Sequence, residues 1–383
     1  MISRRALLAG AGAGAGGVAV LAVGGGALFA FTRTPEAALA PWRSPGEAAD
    51  PRVRALEWAV LAPSPHNMQQ WLVELVGDNE AVVLPDVERG LPETDPFDRQ
   101  VLIGLGCFLE LFEMAARADG RTVATVLFPE GVAAPDERLD GRPVARIVLS
   151  PAGAARDPLF DAVPVRRTSR EPYEGRAVPP QVLERLVGAA RSVRVEGTLG
   201  GERVPALRSL CRRGWQVEAT TPRVYAESVD VMRIGRAEIE ANPDGIAIGG
   251  AMVEALALAG LVTREGLADP SSVAFETGFD AYVGAIEASP AFVWCVTGGN
   301  GREAQVAAGR DWLRLSLAAA AEGVSIQPLS QVLQEFPEMA ALYAETHGTL
   351  GIAAPARIQM LARIGYGPKV PPSPRWPAQT RLL

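Results

Sequence analysis

Arginine and hydroxyl side chains alternate in the stretch RRTSREPY, which runs from Arg166 to Tyr173. In an extended segment alternate residues point to the same side, so Arg166, Thr168 and Arg170 would converge on one point. Guanidinium groups bind phosphate through several hydrogen bonds at once, and a hydroxyl adds another donor. The stretch therefore predicts an anion site, most simply for a phosphate, with a solvated basic surface as the alternative.

Other common signatures of chemistry are missing from the sequence. It contains no GxxxxGK[ST] phosphate loop, no GxSxG nucleophile turn and no GxGxxG placed between a strand and a helix. His66 and His347 are the two histidines, so Ser-His-Asp catalysis has few candidates. An enzyme with this set of residues would draw its chemistry from an organic cofactor.

Four stretches of the sequence resemble motifs of nitroreductase-family flavoproteins. RRTSREPY is similar to the family pattern RRSxRxF, and APSPHNMQQW, which begins at residue 62, is similar to APSxxNxQPW. LSLAAAAEGVSIQPLSQ resembles LLLAAAALGLDSxPIEG, and the tail RIGYGPKVPPSPRWP resembles xxGYPxxxPxxxxRxP. Thr168 replaces the usual serine, Gln70 the usual proline, and Ser330 with Gln331 the frequent Glu-Gly.

The resemblance implies FMN as the cofactor and a nitroreductase-like α+β fold. In that family the alternating residues and the tail arginine hold the phosphate, the PSxxN loop forms a wall, and the third motif reaches the N5 edge of the flavin. The implied cofactor-binding residues are Arg166, Thr168, Arg170, Arg375, Ser64, Pro65, His66, Asn67, Gln69, Pro328, Leu329 and Ser330. The resemblance implies no catalytic side chain and no metal ligand. His66 either contacts the flavin or stabilises its loop.

The order of the motifs resembles that of the Acg-type subfamily, in which two nitroreductase-like halves are fused. Ordinary members carry RRSxR before PSxxN on a shorter chain that dimerises around its flavins. Here PSPHN comes first and RRTSR follows it. The resemblance therefore implies an intrachain pseudo-dimer, monomeric, with one FMN between its halves.

The elements that position these motifs are predicted from hydrophobic periodicity. WLVELV and AVVLPD read as a hairpin, TVATVLF and VARIVLS as two further strands, and RQVLIGLGCFLELFEMAARA as a long helix. PRVYAESVDVMRIGRAEIE is predicted as helical, and AFVWCVT as a strand before a last long helix. Hairpins with long helices between them favour an α+β fold over a doubly wound parallel sheet.

Composition changes suggest how the chain is divided. The predicted parts are an export segment at 1–40, a first half at 41–150, a linker at 151–162 and a second half at 163–383. The Gly/Ala-rich stretch 242–280 is predicted to be an apolar insertion that caps the flavin, with glycines as hinges. The two halves have a similar mix of elements, but no repeat can be aligned by eye.

Charge and cysteine content exclude several classes of function. The net charge of −7 argues against nucleic-acid binding, which needs a basic face. Cys107, Cys211 and Cys295 form no CxxC pair, which argues against both a zinc site and a disulfide framework.

The N-terminus reads as a targeting segment. Arg4 and Arg5 precede an uncharged run from Ala6 to Phe31, and the arrangement resembles a twin-arginine export signal. Cleavage is expected after Ala40, and an uncleaved membrane anchor is the alternative, since the run is long enough to span a bilayer. The chain is expected to be periplasmic, extracellular or anchored facing outward, touching the membrane through this segment alone.

The functional prediction is an exported FMN oxidoreductase that passes hydride or electrons to a nitro, quinone or similar small-molecule acceptor. NAD(P)H as the reductant is left open. The alternative is a protein that binds or sequesters FMN without turnover. The Ser330–Gln331 replacement and the insertion both favour that alternative, because they alter or close the substrate face.

Overall fold

The structure is a computed structural model that describes residues 34–151 and 153–383. Most of the predicted export segment therefore lies outside the described residues. The helices are α1 (Glu36–Leu39), α2 (Pro51–Ala59), α3 (Arg99–Ala118), α4 (Pro180–Val187), α5 (Arg203–Thr220), α6 (Pro222–Asp230), α7 (Gly235–Ala241), α8 (Ala251–Leu258), α9 (Arg264–Ala268), α10 (Val273–Glu287), α11 (Arg302–Ala321) and α12 (Ala340–Thr349). The strands are β1 (Trp71–Val76), β2 (Glu80–Pro85), β3 (Thr122–Leu127), β4 (Ala145–Ser150), β5 (Arg194–Thr198), β6 (Met232–Ile234), β7 (Ile246–Ile248), β8 (Ala291–Thr297), β9 (Ser325–Pro328) and β10 (Arg357–Gly365).

Two four-stranded antiparallel sheets carry the two halves, and their topology is the same. The first has the order β1-β2-β4-β3 and the second β5-β8-β10-β9. In chain order, a short helix precedes each sheet and a long helix lies between its second and third strands, which are β2 and β3 in the first half and β8 and β9 in the second. The α+β class with two similar halves, predicted from the sequence, is confirmed. The repeat is one of topology, which explains why no alignment by eye revealed it.

The first-half elements form where their sequence patterns predict them. The hairpin of WLVELV and AVVLPD is confirmed as β1 and β2, which pair antiparallel from Trp71 opposite Pro85 to Val76 opposite Glu80. The Asp50 carboxylate accepts the Arg52 amide and so caps α2. The Asp95 carboxylate accepts the amides of Gln100 and Val101 at the start of α3. These caps satisfy helix N–H groups that have no partner within the helix.

The two long helices, α3 and α11, pack against each other at the centre of the molecule. Gly106 and Gly309 lie at the crossing, where a Cβ atom on either would be 2.9 Å from the Cα atom of the other. The backbone carbonyls of Ile103 and Val306 occupy the remaining space around the two glycines. One continuous apolar core runs from the first sheet through both helices into the second sheet. The halves therefore share a core rather than touching through a thin interface.

Buried arginines at the starts of the two helices link the halves reciprocally. Arg99 on α3 donates to the carbonyls of Leu333 and Gln359 in the second half. Arg302 on α11 donates to first-half carbonyls, among them that of Ala134. Each guanidinium satisfies carbonyls that would otherwise lack donors in the interior.

The last residues of each half reach across to the other half. The predicted linker, 151–162, runs into a 3-10 helix at Pro158–Val165 that packs against α11 and α3. The C-terminal tail returns to the first half, where Leu382 forms a parallel bridge with Val73 on β1. This exchange carries Arg166 and Arg375 to the same place, next to the loop after α2.

A helical insertion separates β5 from β8, where the first half has a tight turn between β1 and β2. It comprises α5 to α10 with the two-stranded parallel sheet of β6 and β7, and the predicted insertion, 242–280, is one part of it. The prediction of helix throughout PRVYAESVDVMRIGRAEIE is wrong in its middle. Met232–Ile234 pairs with Ile246–Ile248, and Gly235 has a φ of +77°, so the helix is interrupted there.

Among residues 34–151 and 153–383, none of the helices combines the length and apolar character needed to cross a membrane. Within the same ranges, no cluster of His, Cys, Asp and Glu side chains has the arrangement of a metal site.

Candidate functional site

A cavity of about 410 Å³ lies between the two halves and beneath the helical insertion. Its volume is in the usual range for small-molecule sites, which is roughly 300–1,000 Å³. The first half contributes Ser64, Pro65 and His66 and the side of α3 that carries Gly104. The second half contributes Thr168, Arg170 and the end of β9, and the insertion closes the far side.

The loop after α2 reaches the cavity in a strained backbone conformation. His66, Asn67 and Gln69 have φ values of 45°, 58° and 55°, which are uncommon for residues other than glycine. The Ser64 hydroxyl accepts the Gln69 amide and closes the loop on itself. Gly104 packs closely below it, since a Cβ atom there would be 3.1 Å from Pro65 Cδ and 3.4 Å from Ser64 Cα. Strain maintained by surrounding contacts is typical of ligand sites.

The polar side chains of this loop are held by the C-terminal tail. Asn67 donates to the Pro374 carbonyl and accepts from Arg375. The Gln69 side chain accepts the Trp376 amide and donates to the Pro243 carbonyl. Asn67 and Gln69 therefore fix the loop and do not line the cavity, while Ser64, Pro65 and His66 do.

Two buried guanidinium groups lie behind the loop, and neither has a carboxylate partner in the part of the chain that the structure describes. Arg166 and Arg375 both donate to the Leu61 carbonyl, at 3.2 and 3.3 Å, and Arg375 also donates to that of Ala62. Burial, followed by the charge of Arg167, lowers the pKa of Arg166 to about 10. Burial and the neighbouring Arg166 lower the pKa of Arg375 further. Buried charge with no counter-ion is costly, so this arrangement fits a bound anion.

The structure places two of the three alternating residues of RRTSREPY at the cavity. Thr168 and Arg170 line it, whereas Ser169 is buried and its Oγ has no hydrogen-bond partner among the described residues. Arg166 lies one step behind them, in contact with the loop after α2. Tyr173 packs inside the second half, where the Arg363 guanidinium lies 3.8 Å from its ring centroid.

His66 is uncharged at neutral pH. Burial, with a smaller contribution from Arg170, lowers the pKa of its imidazole to about 4. Its Nδ1 has no hydrogen-bond partner among the described residues. The imidazole lines the cavity, and its Nδ1 is a buried atom that the described part of the chain leaves without a donor or acceptor.

The third motif brings Pro328, Ser330 and Gln331 to the cavity wall. Leu329 is buried, and its amide donates to the Leu361 carbonyl, so it is not available to a ligand. The Gln331 amide donates to the Tyr282 hydroxyl at 3.1 Å, which connects this motif to the insertion.

Residues of the helical insertion complete the cavity. They are Trp215, Glu218, Tyr225, Ser228, Met232, Ile246, Ile248, Leu267, Ala274, Phe275, Gly278 and Tyr282. The Gly/Ala-rich stretch 242–280, which was predicted to cap the site, contributes those from Ile246 to Gly278, whereas Glu218 lies outside it and carries no motif. Its helix reads as an ordinary amphipathic helix, and no local signal marks it.

The corresponding loop of the second half is arranged differently. Loop 188–193 follows α4 as the PSPHN loop follows α2, but the Asp311 carboxylate accepts the backbone amides of Arg191, Ser192 and Val193. Asp157 forms ion pairs with Arg191 and Arg314. These two arginines are therefore already paired with a carboxylate, and neither offers a phosphate an unpaired guanidinium group.

Comparisons with known proteins give similarity to solved nitroreductases. A protein from Anabaena variabilis assigned as a nitroreductase is 11% identical with a TM-score of 0.45, over 86% of this chain and 91% of that one. A nitroreductase with bound FMN from Bacteroides fragilis is 12% identical with a TM-score of 0.33, over 56% and 91%. An FMN-dependent nitroreductase from Mycobacterium smegmatis in complex with NADPH is 18% identical with a TM-score of 0.31, over 53% and 84%. These similarities concern the fold alone. No protein-family model and no curated protein matches this chain.

Proposed function

We propose that this chain is an FMN-binding oxidoreductase of the nitroreductase type, with one FMN between its halves. The observation that carries the proposal is the pair of buried guanidinium groups, Arg166 and Arg375, beside a cavity that Arg170 and Thr168 enter. A dianionic phosphate is the group that such a set of donors and charges suits best.

The residues present fit FMN on three counts. The buried arginines have no carboxylate partner, and Arg375 Nε has no hydrogen-bond partner at all among the described residues. His66 Nδ1 is a further buried polar atom without a partner at the cavity wall. The cavity between Pro65 and Pro328 is bounded by apolar and aromatic side chains, as a flat ring system requires.

The arginines and Thr168 would bind the phosphate in two different ways. Arg170 and Thr168 reach the cavity and would bind the phosphate oxygens directly. Arg166 and Arg375 would add positive potential from behind and hold the backbone of the loop after α2. Ser64, Pro65 and His66 would form the wall that the first half supplies.

FMN, when bound, supplies the hydride chemistry. The chain excludes water by closing the insertion over the site, and it positions an acceptor against the apolar surface of Trp215 and Phe275. The proposed acceptor is a small nitro or quinone compound.

The absorbance spectrum of the purified protein tests the proposal. We expect flavin bands, either as isolated or after addition of FMN, and reduction by dithionite followed by reoxidation on adding a nitroaromatic or a quinone. Absence of flavin bands together with failure to bind added FMN would contradict the proposed function.

A second candidate function is FMN storage without turnover. The insertion favours it, since its side chains cover the face of the cavity that an acceptor would use. Reduced holoprotein separates the two candidates. If the first addition of a quinone reoxidises the flavin, and a second addition after renewed reduction does so at the same rate, storage is rejected. Reduced flavin that persists in the presence of quinone would support storage.

We further propose export by the twin-arginine route, which the Arg4–Arg5 pair and the following apolar run support. This route carries folded proteins and is compatible with a cofactor bound before export. The predicted cleavage point after Ala40 has a structural consequence. Cleavage there would remove α1 and the Ala38 carbonyl that accepts the Arg375 amide at 2.9 Å.

A further inference from the structure

Glu218 is a buried carboxyl that faces the cavity and that the proposed FMN site does not use. It lies on α5, is 3% exposed and forms part of the cavity wall. Its Oε2 has no hydrogen-bond partner among the described residues. A buried carboxyl oxygen without a partner is costly unless a ligand completes it or the group stays protonated.

The groups around Glu218 leave it without a cation. They are Glu227 and Tyr225 from α6, Tyr282 from α10, and Gln331 and Gln334 from the segment after β9. Burial raises the pKa of Glu218 to about 7, although hydrogen bonds from Gln334 and Gln331 act in the opposite direction, so at neutral pH part of the carboxyl population is protonated and can donate a hydrogen bond. The other ionisable groups that the described residues bring to the cavity wall are Asp95, Cys107, Arg170 and His66.

Aromatic side chains surround this carboxyl within the cavity. Trp215 lies 4.6 Å from Tyr282 between ring centroids, and Tyr225 lies 5.2 Å from Phe275. Ile246 and Leu267 complete an apolar surface. Such a surface suits a flat, uncharged ring.

We propose that Glu218 donates a hydrogen bond to one carbonyl oxygen of an uncharged planar quinone, and then gives that same oxygen its proton. The inference rests on the proposed function, in which reduced flavin is the reductant. Reduced FMN, when bound, would supply a hydride, which is two electrons and one proton, to the second oxygen of the quinone. The oxygen bonded to Glu218 would take the Glu218 proton, which gives the hydroquinone and leaves Glu218 as a carboxylate that solvent reprotonates.

The first test is the binding of menadione, an uncharged quinone, to the oxidised holoprotein. Quenching of tryptophan fluorescence measures this binding. In the unchanged protein we expect affinity to fall about tenfold between pH 6 and pH 9, because the donor is lost and the carboxylate repels the carbonyl oxygen. Glu218→Gln keeps a donor that does not titrate, so its affinity should not change with pH. A pH-independent affinity in the unchanged protein would overturn the inference.

The second test is the single-turnover reoxidation of reduced holoprotein by menadione. Proton donation by a positioned group contributes about 10²–10⁴-fold, so Glu218→Gln should be at least about a hundredfold slower at pH 6 while it binds FMN and menadione as before. It should also lose the decline in rate above pH 7. Equal rates and equal pH profiles would overturn the role of Glu218 and leave the proposed function standing. Failure of the unchanged protein to bind FMN would instead contradict the proposed function. Failure of its FMN-bound form to reduce menadione would contradict both the proposed turnover of quinones and the role of Glu218.

Discussion

Gly106 of α3 and Gly309 of α11 touch backbone to backbone, and each approaches the carbonyl of the residue three positions before the other. The contact is reciprocal, as expected for two helices related by an approximate two-fold axis. No side chain separates the helices here, so the cavity walls built on them are held at a fixed distance. The spacing of the two halves is therefore set at this crossing.

Gly106→Ala and Gly309→Ala should each lower the free energy of unfolding by about 3 kcal/mol or more, which is the upper end of the range for overpacked cores. The reason is that the added methyl group would meet the backbone of the facing helix, which cannot move aside as a side chain can. Chemical denaturation measures the change. Gly284→Ala on α10 is the matched control, since its Cβ would meet nothing within 4 Å. The control should be neutral or gain up to about 1 kcal/mol. Equal stability of all three variants would show that the helices do not meet as described.

Arg170 and Arg375 should differ in how they act on FMN and riboflavin. Arg170→Ala should weaken FMN binding by roughly tenfold to a hundredfold, and riboflavin should be unaffected, because the lost contact is to the phosphate. Arg375→Ala should weaken both ligands, because it also releases Asn67 and the backbone of the loop after α2. Fluorescence titration with the two ligands measures both effects.

Lys369→Ala is the matched control for these variants, since Lys369 is an exposed cation on the same tail as Arg375. Its binding of FMN should be unchanged. If Arg170→Ala weakened riboflavin as much as FMN, Arg170 would act on folding and not on the phosphate.

Glu218 should make stability depend on pH. Its pKa is raised to about 7 by burial, from the usual 4.5. Between these values the unfolded chain has released a proton that the folded chain keeps, so the free energy of unfolding falls as pH rises. The gain in melting temperature of Glu218→Gln over the unchanged protein should therefore grow from pH 5 to pH 8 and then level off. Glu202→Gln, an exposed residue just before the same helix, should show no such trend, and a flat difference for both variants would contradict the assignment.

Replacement of Arg4 and Arg5 by lysine should keep the protein in the cytoplasm, because the arginine pair is the feature that the export receptor recognises. Cell fractionation measures the outcome. Unchanged export of the double variant would reject the twin-arginine route. The N-terminal residue of the exported protein, by mass spectrometry, would show whether the Ala38 contact with Arg375 survives processing.

Much of the fold could be predicted from the sequence because local patterns agree with the final structure. The hairpin of β1 and β2 and the helix of Arg99–Ala118 form where periodicity placed them. The helix predicted across Met232 fails because its central residues pair with β7, a contact made with residues that follow later in the chain. Local propensity carries no information about that partner.

The candidate site divides in the same way. Thr168 and Arg170 reach the cavity as their alternation predicted, whereas the roles of Asn67 and Arg375 depend on a tail that crosses from the other end of the chain. Glu218 could not be found from the sequence, because its burial and its missing partner exist only once the insertion has folded over the cavity.

Titration of FMN into the apoprotein, with flavin fluorescence quenching as the signal, measures how many FMN molecules one chain binds. We expect saturation at one FMN per chain and far weaker binding of riboflavin, because Arg170 enters the cavity between the halves with Arg166 and Arg375 behind it, while Arg191 in the corresponding loop of the second half is paired with a carboxylate. Saturation at two FMN per chain, equal affinity for riboflavin, or no binding would contradict it.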